Sequence, residues 1–212
     1  MAQKRKSRSR ISRSRTNTTT PEQGGIPTWA WFAGGGVLAI LLVVGLFWLD
    51  SQSLRGGVNA TKGIEGAIIM PDLGRSHQEG DIHYAADVPT GGTHNANWQN
   101  CGIYDQPVRE ENVLHSMEHG AVWIAYDPTL PAEEIEQLQQ LVRDERAKLR
   151  TFYVLAPKEE ISAPIVATAW RVQLELENAF DDRLLKFMQR FHVGQFAPER
   201  GATCSGGIGE PL

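Results

Sequence analysis

Residues 121–155 run AVWIAYDPTLPAEEIEQLQQLVRDERAKLRTFYVL. Ala121 to Tyr126 is a continuous apolar, β-prone run, which predicts a buried strand, and Asp127-Pro128 ends it. Pro131 opens a helix reaching to about Lys148. Ile135, Leu138, Leu141 and Val142 form its apolar stripe, and Glu133 and Glu134 suit the positive end of its dipole. Thr151 to Leu155 is the next strand, closed by Pro157. Strand, helix and strand at this spacing make a βαβ unit, so the two strands should be parallel and the crossover right-handed.

Toward the C-terminus, Ile165 to Trp170 reads as a third strand. Val172, Leu174 and Leu176 alternate and extend the sheet, with an amphipathic helical turn as the other option. Asp181 caps a last helix that buries Leu184, Leu185, Met188 and Phe191, with Gly194 past its end. The tail from Gln195 to Leu212 is irregular. Toward the N-terminus, Pro107 to His119 reads as a short helix stopped by Gly120. Leu73 to Asn100 follows neither a period of 2 nor one of 3.6, and Gly74, Gly80, Pro89, Gly91 and Gly92 interrupt it. It reads as a long, ordered, functional loop, and Ala67 to Met70 as a short strand stopped by Pro71. Residues 65–212 therefore predict an α+β domain: a small sandwich with a βαβ unit and a long histidine-rich loop.

The segment ahead of this domain has a different character. Trp29 to Leu49 is a run of 21 residues without a charge. As a helix at about 1.5 Å per residue it would span one hydrocarbon core, and Trp29, Trp31 and Trp48 sit near its ends, where indoles prefer the interface. Asp50-Ser51-Gln52-Ser53-Leu54 offers no small-x-small cleavage site, so an uncleaved anchor is expected in preference to a signal peptide. This divides the chain into a basic arm (1–27), a transmembrane helix (28–50), a linker (51–64) and the α+β domain.

The charge distribution orients it. The arm holds seven Lys/Arg against one Glu, a balance of +6, and the remainder holds 14 Lys/Arg against 24 Asp/Glu, a balance of −10. Basic flanks stay cytoplasmic, which predicts a single-pass cell-membrane protein with its N-terminus inside and residues 50–212 outside. The arm suits anionic lipid better than nucleic acid, and an envelope partner for the outer domain is left unnamed. The two cysteines, both outside the membrane, suggest a disulfide between Cys101 and Cys204. Their alternative role is as thiolate ligands beside the histidines. No CxxC is present, which argues against thioredoxin-type redox chemistry.

His77 to His119 holds five of the six histidines, where an even spread would place about one. His115 and His119 are i and i+4 on the predicted helix, so their rings share one face and can converge on one ion. The loop can deliver His83 and His94 as third and fourth ligands. All-imidazole ligation outside the cell suits copper or zinc. Met117 points away from His115, Glu118 can orient a ring from behind, and His77 has no partner that the sequence assigns. His192 falls at the C-terminal end of the last helix, where a protonated ring would suit the dipole. Trp98, Trp123 and Trp170 read as packing residues. Two other readings stand beside metal binding. One is a non-catalytic structural or interaction domain whose histidines hold the loop. The other is a zinc-dependent hydrolase using His115-x-x-Glu118-His119, with Glu118 as general base. Gly120 stops the helix early for that enzyme, and the last helix supplies no glutamate as third ligand.

Cys101-Gly-Ile-Tyr104, His115-Ser-Met-Glu-His-Gly120, Pro89-Thr-Gly-Gly-Thr-His94, Ala167-Thr-Ala-Trp170 and Ala197-Pro-Glu199 followed by Cys204 together resemble a bacterial membrane-anchored family catalogued as domain of unknown function 3105. The resemblance covers most of residues 65–207. Val88 stands where that family shows a second proline, and Arg171 where it tends to show glycine. The resemblance implies an anchored outer domain and brings no established activity or catalytic residue with it.

Overall fold

Two parallel strands, β3 (Val122–Tyr126) and β4 (Tyr153–Pro157), lie side by side from Val122 opposite Tyr153 to Tyr126 opposite Pro157. Helix α2 (Ala132–Ala147) connects them, so the expected βαβ unit is present. The protein's structure, a computed structural model, describes residues 40–46 and 60–212. The chain divides into two units, Met1–Asp50 and Ser51–Leu212. In the first, residues 40–46 are helical. The rest of the Trp29–Leu49 run, the arm and residues 51–59 of the linker lie outside the described residues. Among the described residues no helix is long and apolar enough to cross a membrane.

The second unit is built on one mixed sheet of six strands in the order β1-β6-β5-β3-β4-β2. Here β1 is Ile68–Ile69, β2 Gly102–Ile103, β5 Ile165–Ala169 and β6 Val172–Leu176. β5 runs antiparallel to β3, and β6 antiparallel to β5, which places residues 172–176 in a strand. β4 starts two residues later than Thr151 and takes in Pro157, whose missing N–H is tolerated at a strand end.

Because side chains alternate across a strand, β3 and β4 feed two cores. Val122, Ile124, Tyr126, Tyr153 and Leu155 face α2 and α3 (Asp182–Phe191), while Trp123, Ala125, Val154 and Ala156 face α1 (Glu110–Glu118) and the histidine loop. Strands covered on both faces read as unbroken apolar runs, which is why these two were legible. Edge-side β6 alternates instead: Val172, Leu174 and Leu176 are buried, and Gln173 donates to the Val88 carbonyl at 2.9 Å. α3 is capped by Asp181, whose carboxylate accepts from the Arg183 N–H at 2.9 Å. Its buried side is Leu184, Phe187, Met188 and Phe191, an i, i+3, i+4, i+7 stripe that takes Phe187 where Leu185 was expected.

The tail is irregular yet tied down. Asn100 N–H donates to Ile208 O at 2.8 Å, Ile208 N–H to Trp98 O at 2.9 Å and Leu212 N–H to Ile103 O at 2.9 Å. A Cβ on Gly102 would lie 2.3 Å from the Pro211 Cβ, so the tail's approach to β2 requires glycine there. The Cys101–Cys204 disulfide, with Cα atoms 5.4 Å apart, locks this edge, and no free cysteine remains as a ligand.

Candidate metal centre

Helix α1 is buried from Glu111 to Glu118. One side sends Val113, Leu114 and Met117 into the core, which removes Met117 as a ligand. The other side presents His115, Glu118 and His119 to three segments that backbone hydrogen bonds hold against the helix. The loop is joined by Asn95 N–H to Glu111 O and Gln99 N–H to Asn112 O, both 3.0 Å, and by the Ser116 hydroxyl donating to Gln99 O at 2.6 Å. Its earlier part returns as a parallel bridge between His77 and His94. The tail joins through Glu199 N–H to Glu118 O at 3.0 Å and Gly201 N–H to His119 O at 2.9 Å, occupying carbonyls that a helix end leaves unpaired.

Each buried imidazole is pinned in the same way. A carbonyl can only accept, so the ring nitrogen against it must be N–H. The Nδ1 of His94 donates to Gly92 O at 2.8 Å, that of His115 to Asn95 O at 2.7 Å, and that of His119 to Thr203 O at 2.6 Å. This fixes the tautomer and turns each Nε2 lone pair toward the cluster, the arrangement that outer-shell carbonyls give metal-ligating histidines. His94 Nε2 lies 2.9 Å from Glu118 Oε2, within hydrogen-bond distance. His77 Nε2 is 3.7 Å from the same oxygen, and its ring stacks on His115 with centroids 5.0 Å apart. Burial pushes the His115 imidazole below its ordinary pKa, with the Asn95 carbonyl partly offsetting it. A neutral ring is the form a metal needs.

Two sets of donor atoms thus converge: His77, His94, His115 and Glu118, and beside them His115, His119 and Glu199. Within each set the atoms lie within 4.8 Å of one another. Ligands held 2.0–2.1 Å from a tetrahedral ion sit about 3.4 Å apart, so both sets are close to the required spacing. Either cluster could hold a transition metal. Trp98, with its ring 5.7 Å from His115 and 5.3 Å from His119, and Trp170, 5.7 Å from His94, pack around the rings.

Of the residues expected from sequence, His94, His115 and His119 come together, the helical pair with ring centroids 4.6 Å apart. His83 does not join them; it is exposed and outside both sets. His77 takes its place, because the loop doubles back through the bridge to His94. Glu118 does not stand behind a ring: it meets the Nε2 side of His94 at 2.9 Å and lies in the same donor set as His115. Glu199, which the sequence did not single out as a ligand, joins the second set. It lies on the loop, with Oε2 3.7 Å from His119 Nε2, carried there by the tail's hydrogen bonds. His192 is no charged helix-end group: burial, then the nearby Arg150, push its pKa down. Its ring packs on Phe152 and Tyr153 with a buried Nε2 that has no hydrogen-bond partner.

A mixed-sheet α+β domain whose histidines and glutamates gather from loop and tail around one buried helix is the class that these features define. The chain belongs to the family described as "Protein of unknown function (DUF3105)", whose model matches residues 76–206 and so takes in both clusters and the disulfide. No curated protein and no solved structure matches it.

Proposed function

We propose that this is a single-pass membrane protein, N-terminus cytoplasmic, whose outer domain binds a copper or zinc ion through His77, His94, His115 and Glu118. The pinning of Nδ1 on His94 and His115 by backbone carbonyls carries this reading. Histidines that merely held a loop in place would not need their remaining nitrogens gathered beside a buried carboxylate. Three imidazoles and one carboxylate suit zinc or Cu(II) better than Cu(I), which prefers sulfur. An incoming ion takes the place of the His94–Glu118 hydrogen bond. The uncharged run and the basic arm support the anchor and its orientation, and a disulfide is at home outside the cytoplasm. The arm meets anionic lipid on the inner face, and the outer domain serves an envelope partner.

The test is metal content. The full chain, purified in mild detergent without chelator, should carry or take up copper or zinc at micromolar concentration, and His115→Ala should abolish this. A protein that binds neither ion would leave the histidines as loop-holding contacts and end the reading.

A further inference from the structure

We propose that His119 and Glu199 form a second cation site beside the first, completed by His115 when the first is empty and by water when it is filled, so that the domain can hold two divalent ions of unequal affinity. This rests on the metal-binding reading above. The first observation is a contrast in spacing. His94 and Glu118 stand 2.9 Å apart, in hydrogen-bond contact, whereas His119 Nε2 and Glu199 Oε2 stand 3.7 Å apart. The second distance is too long for a hydrogen bond and near the separation of about 3.4 Å between two ligands of one tetrahedral ion. The carboxylate is held at ligand spacing rather than spent on the ring.

The second observation is how firmly the pair is placed. Thr203 O fixes the His119 ring through Nδ1, and the backbone of Glu199 is hydrogen-bonded to the Glu118 carbonyl. The Glu199 side chain is 49% exposed and that of His119 4%, so this site opens to solvent on its carboxylate side while its imidazole stays fixed. It also lies at the C-terminus of α1, whose partial negative charge favours a cation.

The third observation concerns His115. Its Nδ1 is spent on Asn95 O, so a single nitrogen, Nε2, is left for the two sets, and one lone pair serves one ion at a time. An ion that keeps His115 leaves the other with His119, Glu199 and water, or with His77, His94 and Glu118. The four-donor set keeps His115 when both sites are filled, and the rim site is the weaker.

Titration of the full chain with Zn2+ by calorimetry tests this. The expected isotherm has two steps, a tight equivalent and a weaker one. Glu199→Gln, an isosteric change at an exposed position, should weaken the second step at least about tenfold and leave the first within about threefold. His77→Ala should do the converse. A single equivalent lost with His77→Ala but indifferent to Glu199→Gln would overturn the second site and leave the first standing. A two-step isotherm unchanged by Glu199→Gln would also overturn it. Absence of any zinc or copper binding would end both readings.

Discussion

Removing the disulfide, as Cys101→Ala with Cys204→Ala, should destabilise the domain globally while leaving its metal site usable. The bond joins residues 103 apart in sequence. In the chain-entropy account, a closed loop of that length costs the unfolded state about 16 cal/mol/K, or about 4.7 kcal/mol at 25 °C. That is a large part of the stability of a typical domain, about 5–15 kcal/mol. The native tail has other anchors: Ile208 and Leu212 bond to the backbone of Trp98 and Ile103, and the Asn100 side chain donates to Gly209 O at 2.7 Å and accepts from Gly207 N–H at 2.8 Å. Thr203 O therefore stays near His119 in the folded variant. Urea unfolding followed by near-ultraviolet circular dichroism should show a loss of about 3–5 kcal/mol with an altered m value, the latter because the unfolded chain is no longer cross-linked. Zinc affinity of the folded variant should change by less than about threefold. A stability loss under about 1 kcal/mol would refute the loop argument. Full stability with metal affinity lost would mean that the bond acts locally on the site instead.

Three other outcomes follow from particular side chains. His83→Ala should leave metal uptake unchanged while His77→Ala lowers it at least about tenfold; equal effects in a direct metal titration would sink the exchange of one histidine for the other. Gly120 sits at φ +110°, and a Cβ there would lie 2.8 Å from the Val193 Cα, so Gly120→Ala should cost about 2 kcal/mol or more in urea unfolding; a shift within about 0.5 kcal/mol would refute the close approach. His192 has a native pKa below its unfolded value of about 6.5, so its neutral form stabilises the fold above that pH and the contribution is lost as pH falls through the native value. His192→Phe should flatten this acid limb by up to about 1.4 kcal/mol per pH unit, and parallel stability–pH curves for variant and wild type would refute it.

The parts of the fold that were legible are those where local chemistry and tertiary role agree. The runs at 121–126 and 151–155 are apolar throughout because both faces of the central strands are covered, and Pro131 with the 135–138–142 stripe leaves one reading for the helix between them. The i, i+4 pair of His115 and His119 was legible for the same reason, since helix geometry alone puts those rings together. β2 was not, because a strand of Gly102 and Ile103 has too little sequence to show a period. Its existence depends on β4 on one side and on the tail arriving some 100 residues later on the other. Histidine density misled at His83 because density in a loop says nothing about which turn of the loop faces the helix. His77 and Glu199 were hidden by the same gap in reverse: each reaches the cluster through backbone hydrogen bonds to distant segments, and no side-chain pattern records those.

Arg171 stands where the backbone conformation favours glycine. It follows Trp170 in the tight connection between β5 and β6 and adopts φ 62°, a left-handed conformation that glycine takes without cost and other residues take at about 1 kcal/mol or more. Glycine is thus the residue such a turn accommodates most easily. What offsets the strain is on the outer side of the turn: the Arg171 Nε donates to Met70 O at 3.2 Å, and its guanidinium stands 3.9 Å from Asp72 and over the Phe196 ring at 5.7 Å. The backbone N–H of Arg171 donates to Thr90 O at 2.7 Å, and its carbonyl accepts from Met70 N–H at 2.8 Å. The turn therefore ties both ends of the segment 70–90, the one that carries His77 round to His94, to the end of the central sheet. A strained residue is tolerated here because its side chain fastens the loop on which the candidate site depends.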